Sequence, residues 1–216
     1  DTRAAWYLSE AEVLTGVTDV VAAILTDFRG TDTLIEIAVF GVAALGVLTL
    51  LTLPEARELL MGPGRARLRR GEVVPSEELR AVARFSTPLT RRAAIIVLPF
   101  ALIISLTHIL YGGKGPGDGF TAGVVSGLAV VLWYVVFGYY ETRQRLPWLH
   151  PGRLVAVGLM VALVNALLPL LFGREFFALT KLANVELPAQ LHAASTVIFE
   201  IGIFLTVFGG VSVIME

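Results

Sequence analysis

Five apolar stretches decide what this chain can fold into. They fall at 33–53, 93–111, 119–140, 153–172 and 192–214, and each can cross a hydrocarbon core of about 30 Å at about 1.5 Å per residue. Inside lipid a span must satisfy its own backbone hydrogen bonds, so each stretch is expected to be a helix. Composition agrees, because 16% of the 216 residues are charged and the mean hydropathy is +0.76, whereas a soluble domain carries about a quarter charged residues. The expected fold class is an all-α membrane protein with five transmembrane helices. Pro99, in the first turns of the second span, and Pro169, near the end of the fourth, fit helices whose neighbours re-satisfy the freed carbonyl.

Residues 12–28 read differently. Val13, Val17, Val20, Ile24 and Phe28 share one helical face, and Thr15, Asp19, Thr26 and Asp27 lie away from it. This pattern predicts an N-terminal amphipathic helix lying on the membrane surface. The chain starts at Asp1 rather than Met and no signal-peptide pattern follows, so it is expected to be a segment of a longer product or to lack its first residues.

Arginine sets the expected orientation. Segment 54–92 holds Arg57, Arg65, Arg67, Arg69, Arg70, Arg80, Arg84, Arg91 and Arg92 against five glutamates, and the connection after the third span adds Arg143, Arg145 and Arg153. The first 32 residues hold six acids with only Arg3 and Arg29, and loops 112–118 and 173–191 balance to zero. Basic and non-basic sides alternate across five spans, which predicts the N-terminus outside and the C-terminus inside. The Arg65–Arg70 cluster is then a topology signal in a cytoplasmic linker, not a nucleic-acid patch. Ser76 is a plausible N-cap for a short helix over 77–86 in that linker. Three parts are expected: a surface helix and first span over 1–53, a basic linker over 54–92, and a four-helix membrane domain over 93–216.

Several chemistries are excluded or unsupported. The chain has no cysteine and a formal net charge of −1, which excludes disulfides, thiolate metal sites and iron–sulfur ligation. Gly112-Gly-Lys-Gly-Pro-Gly-Asp-Gly119 lacks phosphate-loop spacing and follows no strand. It reads as a tight turn into a helix whose Gly119, Gly123 and Gly127 form a small-residue face. No nucleophile constellation or cofactor motif is present, so no cofactor and no self-contained catalysis are expected.

The candidate site residues are the polar groups within the spans. Past the first residue of each stretch, Glu36 and Glu200 are the only charged side chains, and a charge at bilayer depth costs at least a few kcal/mol. Asp32 and Glu36 sit four apart at the outer end of the first span. Two such carboxylates repel, which suits a shared proton or a bound Na⁺; the competing reading is an N-cap and a helix-dipole partner. Glu200 lies about eight residues into the last span, on the order of 12 Å from its start. With His192 and Thr196 it forms an i, i+4, i+8 stripe running inward, which fits either a proton route or a packing contact. Ser105, His108 and Tyr111 form a shorter stripe in the second span, where a histidine either relays protons or packs. Asn165 reads as interhelical glue. Lys114 and Asp118 either line an ion mouth or form a solvated pair.

These residues resemble a known family. The run Val17-Thr-Asp-Val-Val-Ala-Ala-Ile-Leu-Thr-Asp-Phe-Arg-Gly30, with Asp32-Thr-Leu-Ile-Glu-Ile37 and Gly41-Val-Ala-Ala-Leu-Gly46, resembles the C-terminal end of the large A-type component of Mrp-type cation/proton antiporters, which has counterparts in membrane-bound hydrogenases. Gly115-Pro-Gly-Asp-Gly-Phe-Thr-Ala-Gly123 and Leu191-His-Ala-Ala-Ser-Thr-Val-Ile-Phe-Glu-Ile-Gly202 resemble the B-type component. The resemblance implies a fused subunit of a multisubunit complex in a prokaryotic plasma membrane. Its implied partners are other membrane subunits and the lipid bilayer, with Na⁺ and H⁺ as transported ions. It also implies that Glu36 matches a glutamate important for transport. Ile35 stands where the family pattern has glycine, and Glu200 where it has aspartate. Three readings follow: an antiporter subunit, the equivalent subunit of a redox-driven pump, or a structural wedge without an ion path.

Overall fold

A computed structural model describes residues 3–15, 19–25, 29–52, 86–111, 118–174, 176–177, 181–187 and 191–215. Its helices are α1 (Arg3–Thr15), α2 (Val20–Ala23), α3 (Gly30–Thr52), α4 (Pro88–Tyr111), α5 (Gly119–Arg145), α6 (Pro151–Leu171) and α7 (Ser195–Val213). The last five are long and apolar enough to cross a membrane, and they match the five expected spans to within a few residues at each end. The linker arginines from Arg57 to Arg84, the helix expected at 77–86, and Lys114 lie outside the described residues.

The expected surface helix over 12–28 is not continuous. Helix α1 ends at Thr15, and α2 restarts at Val20 after Asp19. The Asp19 Oδ1 atom accepts from the Val21 N–H at 3.3 Å, a local bond that competes with helix continuation and starts a new turn.

A second departure lies between α6 and α7. Residues Lys181–Leu187 and Leu191–Ala194 form an antiparallel ribbon, β1 and β2, with Lys181 opposite Ala194 and Glu186 opposite His192. The backbone of 191–194 therefore bonds across to β1 rather than along a helix. The last span starts at Ser195, not at 192.

Helix α7 is the hub, packing on α6, α5, α3 and α4. In lipid the helices gain nothing from hiding apolar surface from water, so close approach and dispersion have to hold them together. Glycine permits that approach. A Cβ on Gly158 of α6 would lie 2.5 Å from the Thr206 nitrogen, and one on Gly202 of α7 would lie 2.9 Å from the Ala162 nitrogen. The expected small-residue face of α5 is used in the same way. Cβ atoms on Gly123 and Gly127 would come within 2.7 Å of the Cβ atoms of Val207 and Val211 on α7. Ile37, Ala162, Ala166, Phe199, Ile203 and Val207 form one core, joining α3, α6 and α7. Another joins Ala94 and Leu98 of α4 to Trp133 and Phe137 of α5 and Phe208 of α7.

The arginine-bearing end has its own architecture. Helix α5 is broken at Gly138, whose φ of 76° and ψ of 173° suit glycine alone. Beyond it Glu141 binds both Arg91 of α4 and Arg145, the latter at 2.8 Å. The two guanidinium carbons lie 4.6 and 5.0 Å from the Phe137 ring centroid. The Trp133 indole N–H donates to the Ala94 carbonyl at 2.8 Å, tying α4 to α5 just inside this cluster.

Candidate functional site

The charged groups of the spans gather at the end opposite this cluster, where α3, α5 and α7 begin and α4 and α6 finish. Glu36 lies on α3 and is exposed, whereas its neighbour Ile37 is buried at 1% exposure. The helix docks through Ile37, Gly41 and Ala44, all buried, so its opposite side carries Asp32, Ile35, Glu36 and Val39 away from the other helices of this chain. Asp32 has a partner of its own. The Arg29 guanidinium binds its Oδ2 at 2.5 Å, with both side chains more than half exposed. Asp32 and Glu36 thus share the outward face, but Asp32 already has a cation within this chain.

Glu200 is built into the interior. It is 6% exposed on α7, and its Oε2 accepts the backbone N–H of Gly119, the first residue of α5. The first N–H groups of a helix have no partner within it and carry its positive pole, so a carboxylate from a neighbouring helix fits there. The adjacent donor is served locally, with Asp118 as the N-cap whose Oδ1 accepts the Thr121 N–H at 2.5 Å. Two carboxylates therefore divide the N-terminal donors of α5. Gly119 is required for the arrangement, because a Cβ there would lie 2.8 Å from the Glu200 Oε2 and closer still to its backbone carbonyl.

The inward stripe His192–Thr196–Glu200 is only partly realised. Thr196 and Glu200 are buried a turn apart on α7, but His192 is in β2 and leaves the helical register. Because α7 starts at Ser195, Glu200 lies about 7–8 Å from the helix start, shallower than the expected 12 Å. Asp118 is a helix cap with a defined bond, not half of a solvated pair.

In the second span the structure connects residues that spacing alone left apart. The Ser126 hydroxyl of α5 donates to Ser105 Oγ of α4 at 2.7 Å, and Ser105 donates to the Ala122 carbonyl at 2.8 Å. The His108 Nδ1 atom is buried without a hydrogen-bond partner among the described residues. Ser126 was not singled out from the sequence; its only signal was a hydroxyl one turn beyond Ala122 on a small-residue helix. Asn165 is buried in α6, a turn before Pro169. Among the described residues no three His, Asp or Glu side chains are grouped to hold a metal.

Comparisons with known proteins agree with this architecture. Residues 89–213 match the model of a domain related to the MnhB subunit of the Na⁺/H⁺ antiporter, and residues 1–64 match that of MbhE, a subunit of MBH. A probable K⁺/H⁺ antiporter protein of Rhizobium meliloti (strain 1021), of the fused A/B type, is 30% identical over 100% of this chain, which spans 22% of that protein. A putative antiporter subunit mnhB2 of Staphylococcus haemolyticus (strain JCSC1435) is 30% identical over 57% of this chain and 89% of its own length. Two solved complexes contain the same fold. The Mrp complex of Dietzia sp. DQ12-45-1b superposes with a TM-score of 0.75 at 24% identity, covering 99% of this chain and 22% of the other. An archaeal membrane-bound sulfane sulfur reductase superposes with a TM-score of 0.69 at 22% identity, covering 100% and 85%. The chain is a multi-pass membrane protein that belongs to the family of the MnhB-related domain of Na⁺/H⁺ antiporters.

Proposed function

We propose that this chain is a membrane subunit of a multisubunit monovalent cation/proton antiporter of the Na⁺/H⁺ type, and that Glu36 belongs to its ion or proton route. The observation that carries this reading is the position of Glu36, on a membrane-crossing helix and turned away from every other helix of the chain. A carboxylate facing lipid is too costly to keep without a task, so the outward face of α3 must meet a partner subunit or a hydrated passage. Family membership and the likeness to a fused A/B antiporter protein support the same conclusion. The chain divides into an A-type segment over 1–53, a basic linker over 54–92 and a B-type domain over 93–216. It sits in a prokaryotic plasma membrane with its N-terminus outside, α1 on the outer surface and the Arg91–Glu141–Arg145 end inside. The ion mouth lies at the outer end near Asp32, and Lys114 and Asp118 border the B-type side.

The decisive experiment is Glu36→Gln in the complete complex reconstituted in vesicles. Exchange is lost while the complex still assembles; normal exchange would leave the structural-wedge reading standing. A second reading has specific support, since residues 1–64 match MbhE and the fold occurs in a sulfane sulfur reductase. In that case the same module is driven by electron transfer in partner chains. Iron–sulfur absorbance in the purified complex separates the two. Because the chain has no cysteine, single cysteines placed in α1 and after α7 report the sidedness by labelling in intact cells.

A further inference from the structure

One buried polar atom within the spans is not accounted for by helix packing. His108 is on α4, three residues beyond Ser105, and its Nδ1 is sealed from solvent without a hydrogen-bond partner among the described residues. Ser105 and Ser126 are themselves 1% and 0% exposed. Their bonds are directional, because Ser126 donates to Ser105 and Ser105 donates to the Ala122 carbonyl. Both hydroxyl protons are committed, so each serine oxygen still offers only acceptor lone pairs. Side chains at i and i+3 on a helix have Cβ atoms about 5–6 Å apart. That separation suits one bridging water, which needs two to four polar partners in a buried site.

The site's level in the bundle follows from the helix pairing. Helices α4 and α5 are antiparallel, with Ser105 beside Ala122. From Ser105 to His108 on one, and from Ala122 back to Gly119 on the other, is the same step of about 4.5 Å in the same direction. His108 therefore lies level with Gly119, whose N–H holds Glu200. Gly119, Gly123 and Gly127 face α7, whereas Ala122 and Ser126 face α4. The two faces are about 60° apart at 3.6 residues per turn, which puts His108 and Glu200 on neighbouring strips of one layer. Asp118 is the remaining charged group at this end of the described parts of α4, α5 and α7, and it is engaged as the α5 cap.

We propose that His108 Nδ1 and the Ser105–Ser126 hydroxyl pair bind a water molecule inside the α4–α5 seam, forming a proton-exchange station in the layer of Glu200. The water donates one hydrogen to a serine oxygen and meets Nδ1 with the other. A proton taken up at Nδ1 and another released at Nε2 leave the imidazole neutral in its second tautomer. The station's use in transport rests on the antiporter reading; the water site itself does not.

Deuterium uptake at the imidazole C2 position, read by mass spectrometry on the intact complex in D₂O, tests the site. His108 takes up deuterium over days, more slowly than the exposed His150. Ser126→Ala slows that uptake about threefold, the scale of one net hydrogen bond. No uptake at His108 in a complex whose His150 exchanges would overturn the proposal. So would uptake unchanged by Ser126→Ala, or loop 112–117 found closing on the imidazole in a solved complex. The wild-type measurement needs no variant to fold. The two readings fail separately, because Glu36→Gln leaves His108 uptake unchanged whether or not exchange is lost.

Discussion

The two glutamates in the spans occupy opposite kinds of environment. Glu36 looks outward from α3, and its own chain gives it no neighbouring helix to bind. Glu200 is clasped at the centre, where the first N–H of α5 meets the hub helix α7. A buried carboxylate with a built-in donor has a structural reason to exist, quite apart from any proton it carries. An outward carboxylate in a membrane-crossing helix has none within this chain, so its reason must come from outside. The comparison separates what the subunit needs in order to fold from what the complex needs in order to work.

The largest effect is expected from Glu36→Gln. Exchange by reconstituted vesicles should fall at least about a hundredfold, a barrier change of about 2.7 kcal/mol, with subunit stoichiometry unchanged. A variant that exchanges normally would erase the distinction. Gly119→Val should be next, acting on stability rather than directly on transport. Its side chain meets the Glu200 backbone, and forcing bulk into a packed contact costs about 1–3 kcal/mol. The readout is a lower unfolding temperature of the complex.

Glu200 itself gives the sharpest internal contrast. Glu200→Ala leaves the Gly119 N–H buried without its partner, a loss of about 1–3 kcal/mol. Glu200→Gln keeps an oxygen that can accept the same bond, so assembly should match the wild type. If exchange nevertheless collapses in Glu200→Gln, then Glu200 moves a proton as well as holding α5. The smallest effect is expected for Asp32→Asn. Its pair with Arg29 is solvent-exposed and worth about 0–1 kcal/mol, and exchange should change less than about twofold. A much larger loss would show that Asp32 acts with Glu36 on the ion.

Much of the bundle was legible in the residues because membrane spans obey a local rule. Length and apolarity alone mark a segment that must satisfy its own backbone, so the five helices could be placed without knowing their neighbours. The small-residue face of α5 was legible for a related reason, since glycine every fourth residue can only serve close approach. The failures came where backbone bonds have non-local alternatives. Residues 191–194 look like the start of an apolar helix, but they pair with 181–187 from the preceding connection. That ribbon removed His192 from its stripe and shortened the depth of Glu200. The break between Thr15 and Val20 reflects a competing side-chain bond at Asp19 that an apolar stripe does not register.

By itself the sequence determined the membrane class, the number of spans and which titratable groups lie within them, since these depend on hydropathy and charge along one segment at a time. Only the tertiary structure decided which way those groups face. Glu36 turned outward because Ile37, Gly41 and Ala44 fit α6 and α7. Glu200 turned inward because Gly119 let the start of α5 come close enough to share its N–H. Such choices depend on which helix packs beside which, and that is a property of the assembled bundle.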